Sequence, residues 1–416
     1  MEDFKSHSIP FRSPVFTLAA HPSEPLFTAG LLSGHVYTYK WPKEVPSDDE
    51  DEAEDGLPGG YKVAWKTRRH KGSCRGAAYS HDGQVLYTVG TDSLIKCAST
   101  TTGQVISKAV VPSSSDSPTH IHPLNPHHLL LGTDSGTIHL YDTRTSLPST
   151  PATTWSSIHD DYISSITSLP PTSESTSNLP KQFIATGDST LSHIDVRKGL
   201  LQKSDDQENE TLTSCIVSGV GKGGRSTRAY VGMGDGIIHA FERGVWGDMC
   251  ERIKIGGKGD DVDCVEEYVQ EGDAEVTKGR CIVAGCGDGS VKVVRLGGNK
   301  VVRVFEHGGG GEDAEEEGVT AIKFDCDGAM MSAGGSVVKI WYQDFGGGKD
   351  DEDDSDDDSD SDSDKPVAKS KGRKLESDSD DSDEPSGSKS SQRRKKKRKN
   401  KHQGAGPKKS LFGGLD

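Results

Sequence analysis

Gly132-Thr133-Asp134-Ser135-Gly136-Thr137-Ile138-His139-Leu140-Tyr141 joins a glycine-rich turn to a run of alternating side chains. Six further segments align with it. Take as anchor the turn residue Ser33, Asp92, Ser135, Asp188, Asp235, Asp288 or Gly335. Successive anchors lie 59, 43, 53, 47, 53 and 47 residues apart. Three residues after each anchor stands an aliphatic: Val36, Ile95, Ile138, Leu191, Ile238, Val291 and Val338. Six residues after it stand Tyr39, Ala98, Tyr141, Ile194, Phe241, Val294 and Trp341. A glycine-rich turn that enters a strand of period two reads as a β-hairpin.

The surroundings complete a unit. Just before each turn is another apolar run, such as Leu129-Leu130-Leu131 or Phe183-Ile184-Ala185. A further strand precedes the hairpin, as at Val15 to Ala20 or Val319 to Phe324, and an outer one follows, as at Gln104 to Val111 or Val301 to Phe305. Four short strands per unit of roughly 40–45 residues is the arithmetic of a β-propeller blade. The expected fold is all-β, a seven-bladed propeller over residues 1–345 with an acidic insertion at about 43–60. The seventh unit lacks a fourth strand, because glycine and acid follow it. An open ring would expose its edges, so Phe4 to Pro10 is expected to supply the missing strand.

The units resemble degenerate WD repeats. Ala78-Tyr79-Ser80-His81-Asp82-Gly83 matches their strand–turn segment, and His70, His159 and His307 stand where the family places a histidine. Only Asp92, Asp188, Asp235 and Asp288 supply the turn aspartate, and only Trp341 the tryptophan. The Trp–Ser–His–Asp network of the family is therefore incomplete in every unit. Recurrence gives the four aspartates a structural role, binding turn amides.

Charge is unevenly sorted in this chain of 416 residues and net charge −16. Residues 349–416 hold 17 basic and 18 acidic side chains, which leaves 32 and 47 in the rest. Asp350 to Asp364 carries eleven acids and no base, and Asp378 to Glu384 is a second acidic-serine block. With almost no apolar residues, 346–416 is expected to be a disordered tail. Ser355, Ser359, Ser361 and Ser377 each precede an acid by three residues, the pattern of acidophilic kinase sites. Arg393, Arg394, Lys395, Lys396, Lys397, Arg398 and Lys399, then Lys401, form a basic run. Such a run reads as a nuclear localisation signal or a polyanion contact.

Catalytic patterns are not found. No Walker loop, His-Glu-x-x-His or Gly-x-Ser-x-Gly motif occurs. His120, His122, His127 and His128 flank Pro123 and Pro126 and read as a structural turn. Cys281 and Cys286 have no matching second pair, so no zinc site is expected. No apolar stretch approaches the ~18 residues of a membrane span, and Met1 to Lys5 shows no secretory pattern. The expectation is a non-enzyme without cofactor, small-molecule substrate or membrane contact, monomeric within larger assemblies.

Over nearly the whole chain the sequence resembles the fungal members of the WD repeat-containing protein 55 family. The resemblance rests on Ser13-Pro14-Val15-Phe16, the acidic loop after Trp41-Pro42-Lys43, Leu131 to Ile138, Val262 to Val265, and the acidic-then-basic tail. It implies a nuclear, nucleolar scaffold of ribosome biogenesis, linked to ribosomal-RNA production and the large subunit. Its partners would be pre-ribosomal or other nucleolar proteins, with RNA contact through the basic tail. Two other readings compete. Arg144 and Arg197, in Tyr141-Asp142-Thr143-Arg144 and Ile194-Asp195-Val196-Arg197, resemble the paired Trp-Asp-x-Arg motif of cullin-four ubiquitin-ligase receptors. The acidic tracts also resemble those of histone chaperones. Leu411, Phe412 and Leu415 near the chain end resemble a docking peptide for the nuclear exosome helicase.

Overall fold

The structure, a computed structural model, describes residues 4–40, 62–113, 115–144, 146–173, 175, 177–257, 260–268, 279–308 and 317–343. The acidic insertion and the tail, with its serines, basic run and terminal Leu411, Phe412 and Leu415, lie outside the described residues. Apart from one short 3-10 turn at Lys222–Gly224, the described elements are 28 β-strands in seven four-stranded antiparallel sheets. No described helix is long and apolar enough to cross a membrane.

Strand β1 is Phe4–Pro10. Blade one follows as β2 (Val15–Ala20), β3 (Leu26–Leu31), β4 (His35–Lys40) and β5 (Lys62–Arg68). Blade two is β6 (Cys74–Tyr79), β7 (Val85–Gly90), β8 (Leu94–Ser99) and β9 (Val105–Val110). Blade three is β10 (Pro118–Asn125), β11 (His128–Thr133), β12 (Ile138–Asp142) and β13 (Thr153–Trp155). Blade four is β14 (Ile163–Ser168), β15 (Gln182–Gly187), β16 (Thr190–Asp195) and β17 (Gly199–Lys203). Blade five is β18 (Thr211–Val220), β19 (Ser226–Met233), β20 (Ile237–Glu242) and β21 (Glu251–Lys254). Blade six is β22 (Val262–Tyr268), β23 (Cys281–Cys286), β24 (Ser290–Arg295) and β25 (Lys300–Glu306). Blade seven is β26 (Val319–Phe324), β27 (Met330–Gly334) and β28 (Val337–Gln343), with β1 as its outer strand. The first strands of neighbouring blades touch in a closed cycle, β2 meeting both β6 and β26.

The anchors explain the packing. All seven aliphatics three residues after an anchor are fully buried, and those six after it are buried too. Positions three apart in a strand face opposite ways. In blade three Ile138 joins the cluster shared with blade four, while Tyr141 joins the one shared with blade two. Blades four to seven repeat this, through Leu191 and Ile194, Ile238 and Phe241, Val291 and Val294, and Val338 and Trp341. The third strand of each blade is thus sandwiched, and the core is a set of blade-to-blade clusters.

Close approach explains a repeated glycine at the end of the second strand. A Cβ on Gly132 would stand 2.7 Å from the Cβ of Ile163 in the next blade, and one on Gly285 2.6 Å from Val319 Cγ1. No side chain fits there without moving the neighbouring blade.

Closure follows the expected route. β1 pairs antiparallel with β28 from Phe4 opposite Gln343 to Pro10 opposite Val337. Ile9 is fully buried in the cluster between blades seven and one. The Phe4 ring packs edge-on against Phe305 at 5.2 Å, with the Arg303 guanidinium over its face. His7 Nε2 and the Tyr342 hydroxyl share a hydrogen bond of 2.7 Å.

Candidate docking surfaces

Strands alternate in direction, so each ring has two unlike ends. One carries the anchor turns between second and third strands. The other carries the turns that leave the third strand.

At the anchor end the four aspartates do different things. The Asp92 carboxylate accepts from the Lys71 amide at 3.1 Å and from His70 Nδ1 at 2.8 Å. Asp288 accepts from the amide of Ser290 in its own turn at 2.9 Å. Asp235 instead accepts from the Asn209 side-chain amide, and its other oxygen is buried without a hydrogen bond. Asp188 serves through its backbone. It sits at φ 54°, and its carbonyl accepts from the Thr211 amide at 2.6 Å. Aspartate tolerates that left-handed conformation better than most residues, so amide binding is observed at two of the four sites. Of the three turns without their own acid, two borrow one from the preceding linker, while the Ser33 amide donates to the Ser13 hydroxyl at 3.2 Å. Asp116 accepts from the Ser135 amide at 2.9 Å, and Glu317 from the Ser336 amide at 3.3 Å. The sequence reading missed both, because neither stands in the repeated turn.

The WD-type network survives in complementary pieces. Blade two has His70 bonded to Asp92 and, through Nε2, to Thr88 at 3.1 Å. Blade seven has Trp341 Nε1 donating to Ser332 Oγ at 2.8 Å, with His307 Nδ1 at 2.8 Å from the same oxygen.

A central channel of about 890 Å³ runs along the first strands. Each first strand carries a register shift after its first residue, and the extra residue is among those that line the channel. These residues are Phe16, Arg75, Thr119, Ser164, Leu212, Asp263 and Thr320. Burial, then the nearby Asp261, pushes the Asp263 carboxyl up to about 6. The Tyr162 hydroxyl donates to Glu210 at 2.7 Å. Burial raises its pKa, and the charges of Glu210, Asp161 and Asp263 add to the effect.

Deeper in the channel Lys323 forms an ion pair with Glu266 of the adjoining blade. Burial lowers the lysine pKa, but the Glu266 carboxylate outweighs it and the ammonium is held above its usual value. His120 and His122 face the same channel, not a turn. Burial, with Lys323 nearby, pushes them down to about 4 and about 3. The expected turn involves only His127 and His128, around the Asn125 side-chain oxygen. Pro123 misled the reading. β10 is an innermost strand with one edge free, and an edge strand accepts proline. Among the described residues no group of three or more potential ligands is placed to hold a metal ion.

At the opposite end Arg144 and Arg197 follow β12 and β16 in adjacent blades and are 65% and 69% exposed. Each folds back on its own strand-end acid. Arg144 Nε donates to both oxygens of Asp142 at 3.0 Å, and the Arg197 amide donates to Asp195 at 2.9 Å. Tyr141 and Ile194, where the ligase motif has tryptophan, are fully buried between blades.

Comparison with known proteins decides the family. The chain is 45% identical over 354 residues to the WD repeat-containing protein jip5 of Botryotinia fuckeliana, covering 81% of this chain and 80% of that one. It is 43% identical over 346 residues to the WD repeat-containing protein JIP5 of Phaeosphaeria nodorum, covering 79% of each. The chain belongs to the family of WD repeat-containing protein JIP5. The jip5 of Emericella nidulans is 39% identical over 353 residues, with 81% of this chain and 84% of the relative covered. No family model matches the chain. The JIP5 relatives are WD-repeat proteins, in agreement with the seven repeats of this chain. WD-repeat propellers of this kind are generally interaction scaffolds, not enzymes.

Proposed function

We propose that this JIP5-family protein is a non-catalytic scaffold of nucleolar ribosome biogenesis, equivalent to the WD repeat-containing protein 55 family. It serves ribosomal-RNA production and large-subunit assembly. The propeller docks pre-ribosomal proteins, and the run from Arg393 to Lys401 directs nuclear and nucleolar entry or contacts RNA. The observation that carries the reading is a closed seven-bladed ring joined in sequence to seven consecutive bases. A rigid ring offers two broad ends for protein contact, and a basic arm engages phosphate in a salt-dependent manner.

Proximity labelling from the full-length protein in cells tests the assignment. Pre-ribosomal proteins are expected to dominate. Dominance of cullin-four ligase subunits, or of nucleosomal histones, would overturn it in favour of the corresponding rival. RNA crosslinking with and without residues 349–416 tests the arm. Loss of crosslinking on removal is expected, and an unchanged yield would refute a role for the arm in RNA contact.

A further inference from the structure

Among the described residues every blade ends in an outer strand with one unpaired edge, and six of the seven are blunted. Strand β5 exposes Lys62, Lys66 and Arg68, and β25 begins and ends on the exposed charges Lys300 and Glu306. Strand β1 contains Lys5 and ends on Pro10. Strands β13 and β21 span only three and four residues. Strand β17 exposes Leu200 and Leu201, but the neighbouring blade approaches its end, where the Asp205 amide bonds the Gly247 carbonyl at 2.8 Å. Charges, proline and shortness are the usual protections of a sheet edge.

Strand β9 has little of this. Val105, Ile106 and Val110 are 46%, 62% and 57% exposed, three of the nine large apolar residues exposed in the described structure. Its single charge, Lys108, has no ion-pair partner among the described residues. The register sets what the edge offers. Val111 donates its amide to Ser93 at 2.9 Å, so alternate residues Ala109 and Ser107 point their backbone at β8. Lys108 and Val110 therefore turn their amides and carbonyls outward. Their side chains lie opposite the face on which Ala109 and Val111 join the cluster with blade three. Lys108 stands directly opposite Lys96 in β8, whose ammonium is already engaged by Asp92. A bulge at Ile106 tips that side chain out as well.

We infer that β9 is a β-augmentation site for an extended partner peptide. The peptide carries an acidic residue flanked, two positions to either side, by aliphatic ones. Its backbone extends the blade-two sheet through the outward groups of Lys108 and Val110. Its acid lies opposite Lys108, and its aliphatics cover Ile106 and Val110. Charge complementarity selects this occupant. A second copy of the same strand would align bases or leave Lys108 unmatched, whereas an acidic partner satisfies it. This deepens the scaffold reading and rests on it only for the premise that the protein has protein partners.

The test uses the full-length chain and two fluorescein-labelled peptides, Ser-Val-Thr-Glu-Thr-Val-Ser and the same peptide with Lys for Glu. The glutamate peptide is expected to raise anisotropy at least tenfold more tightly than the lysine peptide. It is also expected to slow amide hydrogen exchange in residues 104–111. Lys108→Glu, an exposed change that leaves the fold intact, is expected to invert the preference. Lys108→Pro is expected to abolish binding of both, because its amide faces outward and no ladder bond is lost. Equal binding of the two peptides, no binding, or protection elsewhere in the ring would overturn the site. A dimer in sedimentation that is lost in Ile106→Asp would assign the edge to self-association and overturn the chosen occupant. The readout is on purified protein, so a failed site and a failed cellular assignment are separable.

Discussion

Asp263 is a carboxylate in an unfavourable place, half-buried at the channel wall beside Asp261 and with its pKa raised to about 6. A carboxyl raised above its unfolded value costs stability as pH rises from about 4 through 6, because the native state holds its proton longer. Asp263→Asn should therefore raise Tm by a few degrees at pH 7, and the gain should vanish below about pH 4. Differential scanning at several pH values measures it. The buried histidines His159 and His307 have the opposite consequence. Burial pushes both down to about 4, with Lys203 and Lys339 respectively adding to the effect. The unfolded chain takes up protons first, so stability should fall as pH drops from about 6.5 to 4 and level off below that. Urea midpoints across this range should show the fall. A His159→Gln, His307→Gln double variant should start lower and show a smaller slope, with His120 and His122 supplying much of what remains.

Between strands, the informative contact is the bare glycine at the end of each second strand. Gly132→Ala places a methyl carbon against Ile163 and should cost about 1–3 kcal/mol by overpacking. Gly298→Ala, where nothing lies within 4 Å, should cost far less in the same thermal melts. The seven hairpins and the burial of positions three and six after each anchor were legible in the sequence, because alternation in a strand buried on both faces leaves a periodic trace. The bulges were not. A one-residue register shift arises from how first strands splay around a narrow channel, and no residue type marks it. Arg75, the one charged residue of Cys74–Tyr79, was the available hint. The linker acids Asp116 and Glu317 escaped for a similar reason. They act across a fold-level gap, outside the repeat that guided the alignment. The outer edge of β9 was assigned as a strand, but its exposure depends on which neighbour it lacks.

For the ring as a whole, the N-terminal strand is decisive. Removing residues 1–12 deletes the outer strand of blade seven together with buried Ile9. A Tm lower by about 5 °C or more is expected, with broader transitions, since Ile9 alone accounts for roughly 1.5–3 kcal/mol of burial. Unchanged melting would show that β1 is dispensable. The same pairing has a consequence during synthesis. Phe4 to Pro10 leaves the ribosome before any of the other described strands, yet its partner Val337–Gln343 is the last of them to be made. At ~5–20 residues per second the wait is roughly 15–70 s. For that interval six finished blades end in an unsealed gap, and a nascent strand with an unburied isoleucine hangs from the other side. The ring can close only once Val337–Gln343 has emerged, so this protein has an intrinsic window in which a co-translational chaperone, or a neighbouring nascent copy, can reach its edges.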